Sequence, residues 1–225
     1  MALRLLFLKI ITFAALNACS NVSDFETGEI TAIKMLRETW LASRTPSVLF
    51  DTRDVVTRKK IDGAKIPVLF VELENGQNGT LTPFPGEGVG ETWLGADGAT
   101  ITLENGVLKA TRGMKGDLMG STSSMPIWSK IKESPKYTRE LAYLNGNNQV
   151  FSQNFDCQIK ADIKQVTINI FSVPFSVLRF DEICNNGIEK IKNTYFLDNK
   201  GIVRKSLQYQ GPTLGFLSLE RLDRL

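Results

Sequence analysis

Histidine is absent from this 225-residue chain, and its absence closes much hydrolytic chemistry. Neither a Ser-His-Asp nor a Cys-His unit can be assembled, because the base that takes the nucleophile's proton is missing. Histidine-built zinc sites fall with it, and three cysteines are too few for an all-thiolate zinc site. Charge of one sign is scarce as well. The 27 Lys and Arg stand against 24 Asp and Glu, a net +3, which lacks the strongly basic field of a dedicated nucleic-acid binder. No apolar run reaches the roughly 20 residues that a membrane-spanning helix needs. Internal repeats, low-complexity tracts and Pro/Gly/Ser linkers are also missing. What is present is a globular balance, 42% hydrophobic and 23% charged, with enough apolar residues to bury a sizeable core.

The one concentrated apolar stretch is N-terminal. Arg4 and Lys9 supply a positive region, IITFAAL (residues 10–16) an apolar one, and Ala18 a small residue directly before Cys19. This is the charge, length and exit of a secretory signal. The block Leu16-Asn17-Ala18-Cys19 also resembles the lipobox of bacterial lipoproteins, with Asn17 where a smaller or hydroxyl-bearing residue is more usual. The resemblance implies a signal peptide over residues 1–18 and a mature body over 19–225. It makes Cys19 the lipid attachment site, carrying diacylglyceryl and acyl (palmitate-type) chains. Ser20 after the cysteine, by the sorting convention of such lipoproteins, points to the outer membrane. Without Arg4 and Lys9 the net charge falls to +1. If Cys19 is acylated, Cys157 and Cys184 remain as an even pair in an exported chain, and a disulfide between them is expected.

Past the cysteine, Ser23-Asp24-Phe25-Glu26 has the form of a capping box. Ile30, Ile33, Leu36 and Trp40 follow at helical spacing, an amphipathic helix over about 24–42 that Thr45-Pro46 ends. It would cover a sheet face, plug a barrel end or lie on lipid. From about residue 47 onward the signals are strand and turn. SVLFDT (47–52) and KIPVLFVEL (65–73) are rich in β-branched and aromatic residues. In residues 91–111, Asp97-Gly98 and Asn105-Gly106 are dipeptides suited to type I′ turns, in which both central residues take positive φ. They bracket one strand length and so specify a three-stranded meander. Residues 158–184 read as two or three strands with an edge or bend at Pro174. Residues 191–211 read as a hairpin closed by Asp198-Asn199-Lys200-Gly201. Short helices fit near residues 129–132 and 139–144. The expectation is an all-β, single-domain antiparallel meander, barrel-like or strongly curved, with one N-terminal amphipathic helix; such an architecture hides sheet edges.

Three features together resemble the YjbF/GfcB family of group 4 capsule or exopolysaccharide lipoproteins. They are the lipobox at Cys19, the segment WLGADGATITLENGVLKATRGMKGDL (93–118), and the run NTYFLDNKGIVRKSLQYQGP (193–212). The resemblance implies a β-barrel-like fold with an N-terminal helix. It also implies work beside an outer-membrane barrel protein and a periplasmic partner in polysaccharide secretion or assembly, on the periplasmic face, with no cofactor and no catalytic residues to carry over. A non-enzymatic, lipid-anchored accessory protein is the leading expectation. The alternative is direct saccharide contact through Trp93, Trp128 or Tyr209, weighed against plain core packing of those rings. A carboxylate-based glycan-cleaving enzyme is the third; its compact charge cluster would be Asp51 and Asp54 beside Arg53 and Arg58, against a salt-bridge ladder on a strand edge.

Overall fold

The computed structural model describes residues 33–38, 51–85, 90–131, 134–144, 147, 149–162 and 164–224. Three short helices come first: α1 (33–38), α2 (Thr52–Val55) and α3 (Arg58–Ala64). Then come β1 (Leu69–Leu73), β2 (Asn78–Phe84), β3 (Glu91–Gly95), β4 (Thr100–Glu104), β5 (Val107–Arg112) and β6 (Leu118–Ser123). A 3-10 turn (Trp128–Lys130) precedes β7 (Lys136–Leu144), β8 (Val150–Ala161), β9 (Val166–Ile170) and β10 (Val173–Asn185). The chain ends with β11 (Lys190–Asp198), β12 (Val203–Gly211) and β13 (Gly215–Arg221).

All pairings are antiparallel, in the order β5-β4-β3-β2-β1-β13-β12-β11-β10-β8-β7-β6, with β9 hanging from β10 as a side hairpin. β1 pairs with β13 (Val71 opposite Leu219), so the first and last strands meet in mid-sheet. The two outermost strands, β5 and β6, are consecutive in sequence and return to each other across one tight turn. There Asp117 accepts from the Thr111 hydroxyl (3.0 Å) and from Gly113 N (2.8 Å), while the Arg112 guanidinium donates to the carbonyls of Leu118 and Met119 (3.0 Å each). The sheet therefore curls into a nearly closed barrel.

Strand alternation decides what fills it. Leu69 points into the main core with Leu81, Ile101, Leu141, Phe155, Leu217 and Leu219. Its neighbour Phe70 points to the opposite face and into a second apolar cluster with Met35, Val56, Ile61, Ala64, Ile170 and Leu222. That cluster is why α1 to α3 lie where they do: Met35 of α1, Val56 at the end of α2, and Ile61 and Ala64 of α3 are buried in it. The part of the expected helix within the described residues thus covers a sheet face; its remainder lies outside them.

Several expectations change. Residues 52–64, expected as strand or turn, form α2 and α3. Asp51 caps α2, accepting from Arg53 N at 2.9 Å, and the i,i+4 pair Arg58–Asp62 supports α3. Residues 139–144, read as a short helix, belong to β7. Their Arg-Glu-Leu-Ala-Tyr-Leu run satisfies either period, and pairing with β6 and β8 selects the strand. The helix near 129–132 is the 3-10 turn at Trp128–Lys130. Asn105 (φ 51°) and Gly106 (φ 79°) form the expected two-residue turn, but at Asp97-Gly98 the glycine alone takes positive φ (86°). The Asp97 carboxylate instead accepts from Ala99 N at 3.0 Å, an Asx arrangement that closes a three-residue loop. Pro174 sits opposite Asn169 within the side hairpin, on the stretch of β10 before Val177 that pairs with β9 alone, which fits the expected edge. Phe171 and Ser172 turn that hairpin at φ 45° and 65°, and Phe171 packs edge-on against Phe70 at 5.5 Å.

Candidate functional site

The barrel interior holds a polar network. Glu182, on β10, is fully buried and its carboxylate accepts four side-chain donors. Tyr137 Oη lies 2.6 Å away, Asn193 Nδ2 2.7 Å, Tyr195 Oη 2.8 Å and Arg139 Nη1 2.8 Å. Burial pushes this carboxyl's pKa up, but the Arg139 guanidinium and the three neutral donors outweigh it and hold Glu182 below the usual range. Burial and the Glu182 charge push both tyrosine hydroxyls well above their ordinary value. Arg139 also donates to Ser121 Oγ and to Leu108 O, both at 3.3 Å, so the pair is fully engaged. A buried carboxylate saturated in this way holds strands together and offers no lone pair for acid or base work.

The same interior finishes the seam. Gln208, on β12, reaches across to β5: its Oε1 accepts from Leu108 N at 2.7 Å and its Nε2 donates to Gly106 O at 2.8 Å. Gln210 donates to Gly116 O at 2.8 Å. These amides stand in for a missing neighbouring strand, and they satisfy backbone groups that burial would otherwise penalise.

Cys157 and Cys184 face each other on β8 and β10 and are joined as a disulfide, Cα atoms 4.0 Å apart. Their sulfurs and a Glu182 oxygen lie within 4.8 Å of one another. That grouping does not suit a metal, because the S–S bond occupies both sulfurs and Arg139 occupies the carboxylate.

The aromatic candidates do not share an open face. Trp93 (1% exposed) and Tyr209 (6%) are core residues, with no ring face open to a saccharide. Trp128 is half-buried; its Nε1 donates to Asn105 O at 2.8 Å, and its ring packs on Phe180 and Tyr195 at centroid distances of 5.3 and 5.0 Å. The Asp51/Asp54 cluster lies on α2 and its N-cap and not on a strand edge. Asp51 caps α2, and Arg53 stacks over Phe70 at 4.0 Å while pairing with Glu72 and Glu220. Cys19 lies outside the described residues.

Sequence reasoning missed an open groove of about 1100 Å³ on the outer face of β7, β8, β10 and β11. Its floor is a set of cross-strand rows. One runs Lys136, Gln158, Ile183, Lys192; the next runs Thr138, Asp156, Asn185, Lys190. A third sets Lys160 opposite Asp181. Burial raises the Asp181 pKa, but the Thr194 hydroxyl and Arg179 outweigh it and hold the carboxyl below its ordinary value. A smaller hollow continues past Asn185 to Asn154 and Gly187. The only sequence signal is the alternation of polar residues along β8 and β10, which marks a solvent face but not its neighbours.

Among the helices of the described residues, none is long and apolar enough to cross a membrane. No curated protein matches the chain. Among solved structures, it is similar to the crystal structure of the hypothetical lipoprotein YmcC from Escherichia coli (K12). That match has a TM-score of 0.66 and 21% identity, covering 76% of this chain and 90% of that one; it shows a shared fold. A family model described as "Group 4 capsule polysaccharide lipoprotein gfcB, YjbF" matches residues 38–222, a span running from the end of α1 to the residue after β13. On that match, the chain belongs to the YjbF family of group 4 capsule polysaccharide lipoproteins.

Proposed function

We propose that this protein is a non-enzymatic, lipid-anchored accessory of capsule or exopolysaccharide export. Acyl chains on Cys19 hold it to the periplasmic face of the outer membrane, beside a barrel-type export protein and a periplasmic partner. The family match over residues 38–222 carries this reading. A nearly closed barrel whose interior carboxylate is buried and saturated with donors supports it. Two or more chains on one cysteine give stable anchoring, since each buried methylene contributes about 0.8 kcal/mol. Sharing a leaflet raises the effective concentration of a partner without a tight pairwise contact. A second reading, direct contact with the exported glycan, is favoured by the outer groove.

The test is fractionation of cells making the wild type and Cys19→Ser. The wild type is expected in outer-membrane fractions, with its processing blocked by globomycin and an export barrel co-extracted in mild detergent. Wild-type protein floating free in the soluble periplasm, or turning over the host polysaccharide, would remove the proposal.

A further inference from the structure

We propose that the groove across β7, β8, β10 and β11 is a binding site for an extended, carboxylate-bearing polysaccharide. The inference rests on the accessory reading above and names the ligand class and the surface.

Shape comes first. At about 1100 Å³ the groove exceeds the roughly 300–1,000 Å³ of small-molecule pockets. Four strands at about 4.8 Å spacing make its floor some 14 Å across. It continues into the hollow at Asn154, Asn185 and Gly187, so it has length as well as breadth, which suits a chain.

Charge comes second. Lys136, Lys160, Lys190 and Lys192 line it against Asp156 and Asp181, a local net of +2 in a protein whose whole-chain charge is only +3. Asp181 is already engaged by Arg179 at 3.0 Å and by Lys192 at 3.4 Å. With Lys192 held by Asp181, the remaining flank cations are Lys136 on β7 and Lys190 on β11, where they would reach carboxylates on a chain lying between them.

Hydrogen-bonding capacity comes third. Gln158, Asn185 and Thr138 occupy the floor between the lysines and can donate to and accept from hydroxyls. Ile183 is the exposed apolar member of the lining. Tyr137 and Cys157 also border the groove but are buried, with the Tyr137 hydroxyl turned inward to Glu182, so no aromatic ring offers a stacking face. Single-stranded nucleic acid binding rests on aromatic stacking, so this surface suits a hydroxyl-rich polyanion better.

The experiment uses the full-length lipidated protein in a polyoxyethylene detergent, with polygalacturonate as probe and calorimetric titration as readout. The wild type is expected to bind polygalacturonate but not neutral dextran, with affinity falling as salt rises. The triple variant Lys136→Gln/Lys190→Gln/Lys192→Gln removes exposed charges and is expected to keep its thermal midpoint and bind about tenfold more weakly. A second variant, Gln158→Ala/Asn185→Ala, keeps every charge and is expected to weaken polygalacturonate without changing the salt slope. The proposal is overturned if the wild type ignores polygalacturonate or takes dextran equally well. It is also overturned if polyglutamate binds as tightly, if the triple variant binds unchanged, or if the lysines respond to phosphatidylglycerol vesicles instead. A protein that sits in the outer membrane with its barrel partner yet fails these titrations keeps the accessory role and loses the site.

Discussion

Arg139 on β7 and Glu182 on β10 form an ion pair with Nη1 2.8 Å from Oε2, at 3% and 0% side-chain exposure. The two strands are not sheet neighbours, because β8 lies between them; the pair bridges the interior over the top of β8, beside the disulfide that joins β8 to β10. Removing one partner leaves the other charged and buried. Arg139→Met is therefore expected to cost about 3–5 kcal/mol, read as a lower urea midpoint with the disulfide intact. The double variant Arg139→Met/Glu182→Leu should recover much of that loss. A single variant within about 1 kcal/mol of wild type would show that the pair is not held as described.

The same carboxylate sets an acid limit. Glu182 and Asp198 both titrate below their ordinary values of 4.5 and 3.8 in the folded protein. Burial raises each, but Arg139 and its companions win at Glu182, and the Ile202 amide with Arg204 win at Asp198. The unfolded chain thus binds protons first, so this stability is fully present above about pH 4.5 and is lost as pH falls through the folded values. Urea midpoints should be nearly level from about pH 7 to 5 and drop steeply toward about pH 3. Glu182→Gln should have a shallower acid slope; an equal slope would exclude Glu182 as the cause.

Reduction should be slow and then destabilising. Both bridge sulfurs are buried, so dithiothreitol reaches them through global opening. The bridge closes a 27-residue separation, for which chain entropy gives about 3.5 kcal/mol. Cys157→Ala/Cys184→Ala should lose about that much in denaturant titrations at matched pH. Mass spectrometry of the native mature protein that finds two alkylatable thiols would refute the bridge.

Gln208 is expected to matter far more than an isolated glutamine. Gln208→Ala leaves Leu108 N unpaired in the interior, at about 1–3 kcal/mol, and Gly106 O without its partner at a half-buried turn. Hydrogen exchange at the Leu108 amide should speed up in step with the stability loss. Unchanged exchange there would mean that the β5 edge is satisfied some other way.

Much of the architecture was legible locally. Asn105-Gly106 and Asp198 to Gly201 announced their hairpins because positive φ restricts which residues can turn a chain. Pro174 announced an edge because it lacks a donor, and it lies where β10 pairs with β9 alone. The cysteine count paired Cys157 with Cys184, and the structure places them directly opposite. Residues 52–64 and 139–144 misled for opposite reasons. The first carries its helices on a few apolar contacts with Phe70 and its neighbours, and the second fits both periods until β6 and β8 flank it.

By itself the sequence determined an all-β meander with turn positions, a lipobox-like block at residues 16–19 and a family resemblance, because these rest on residues within a few positions of each other. Only the tertiary structure decided that Trp93 and Tyr209 are core and that Gln208 closes a seam 100 residues away in the chain. It alone brought four lysines from three strands onto one face. Alternation along a strand sorts side chains into two faces, but which face turns inward, and what lies across from it, depends on how the whole sheet curls.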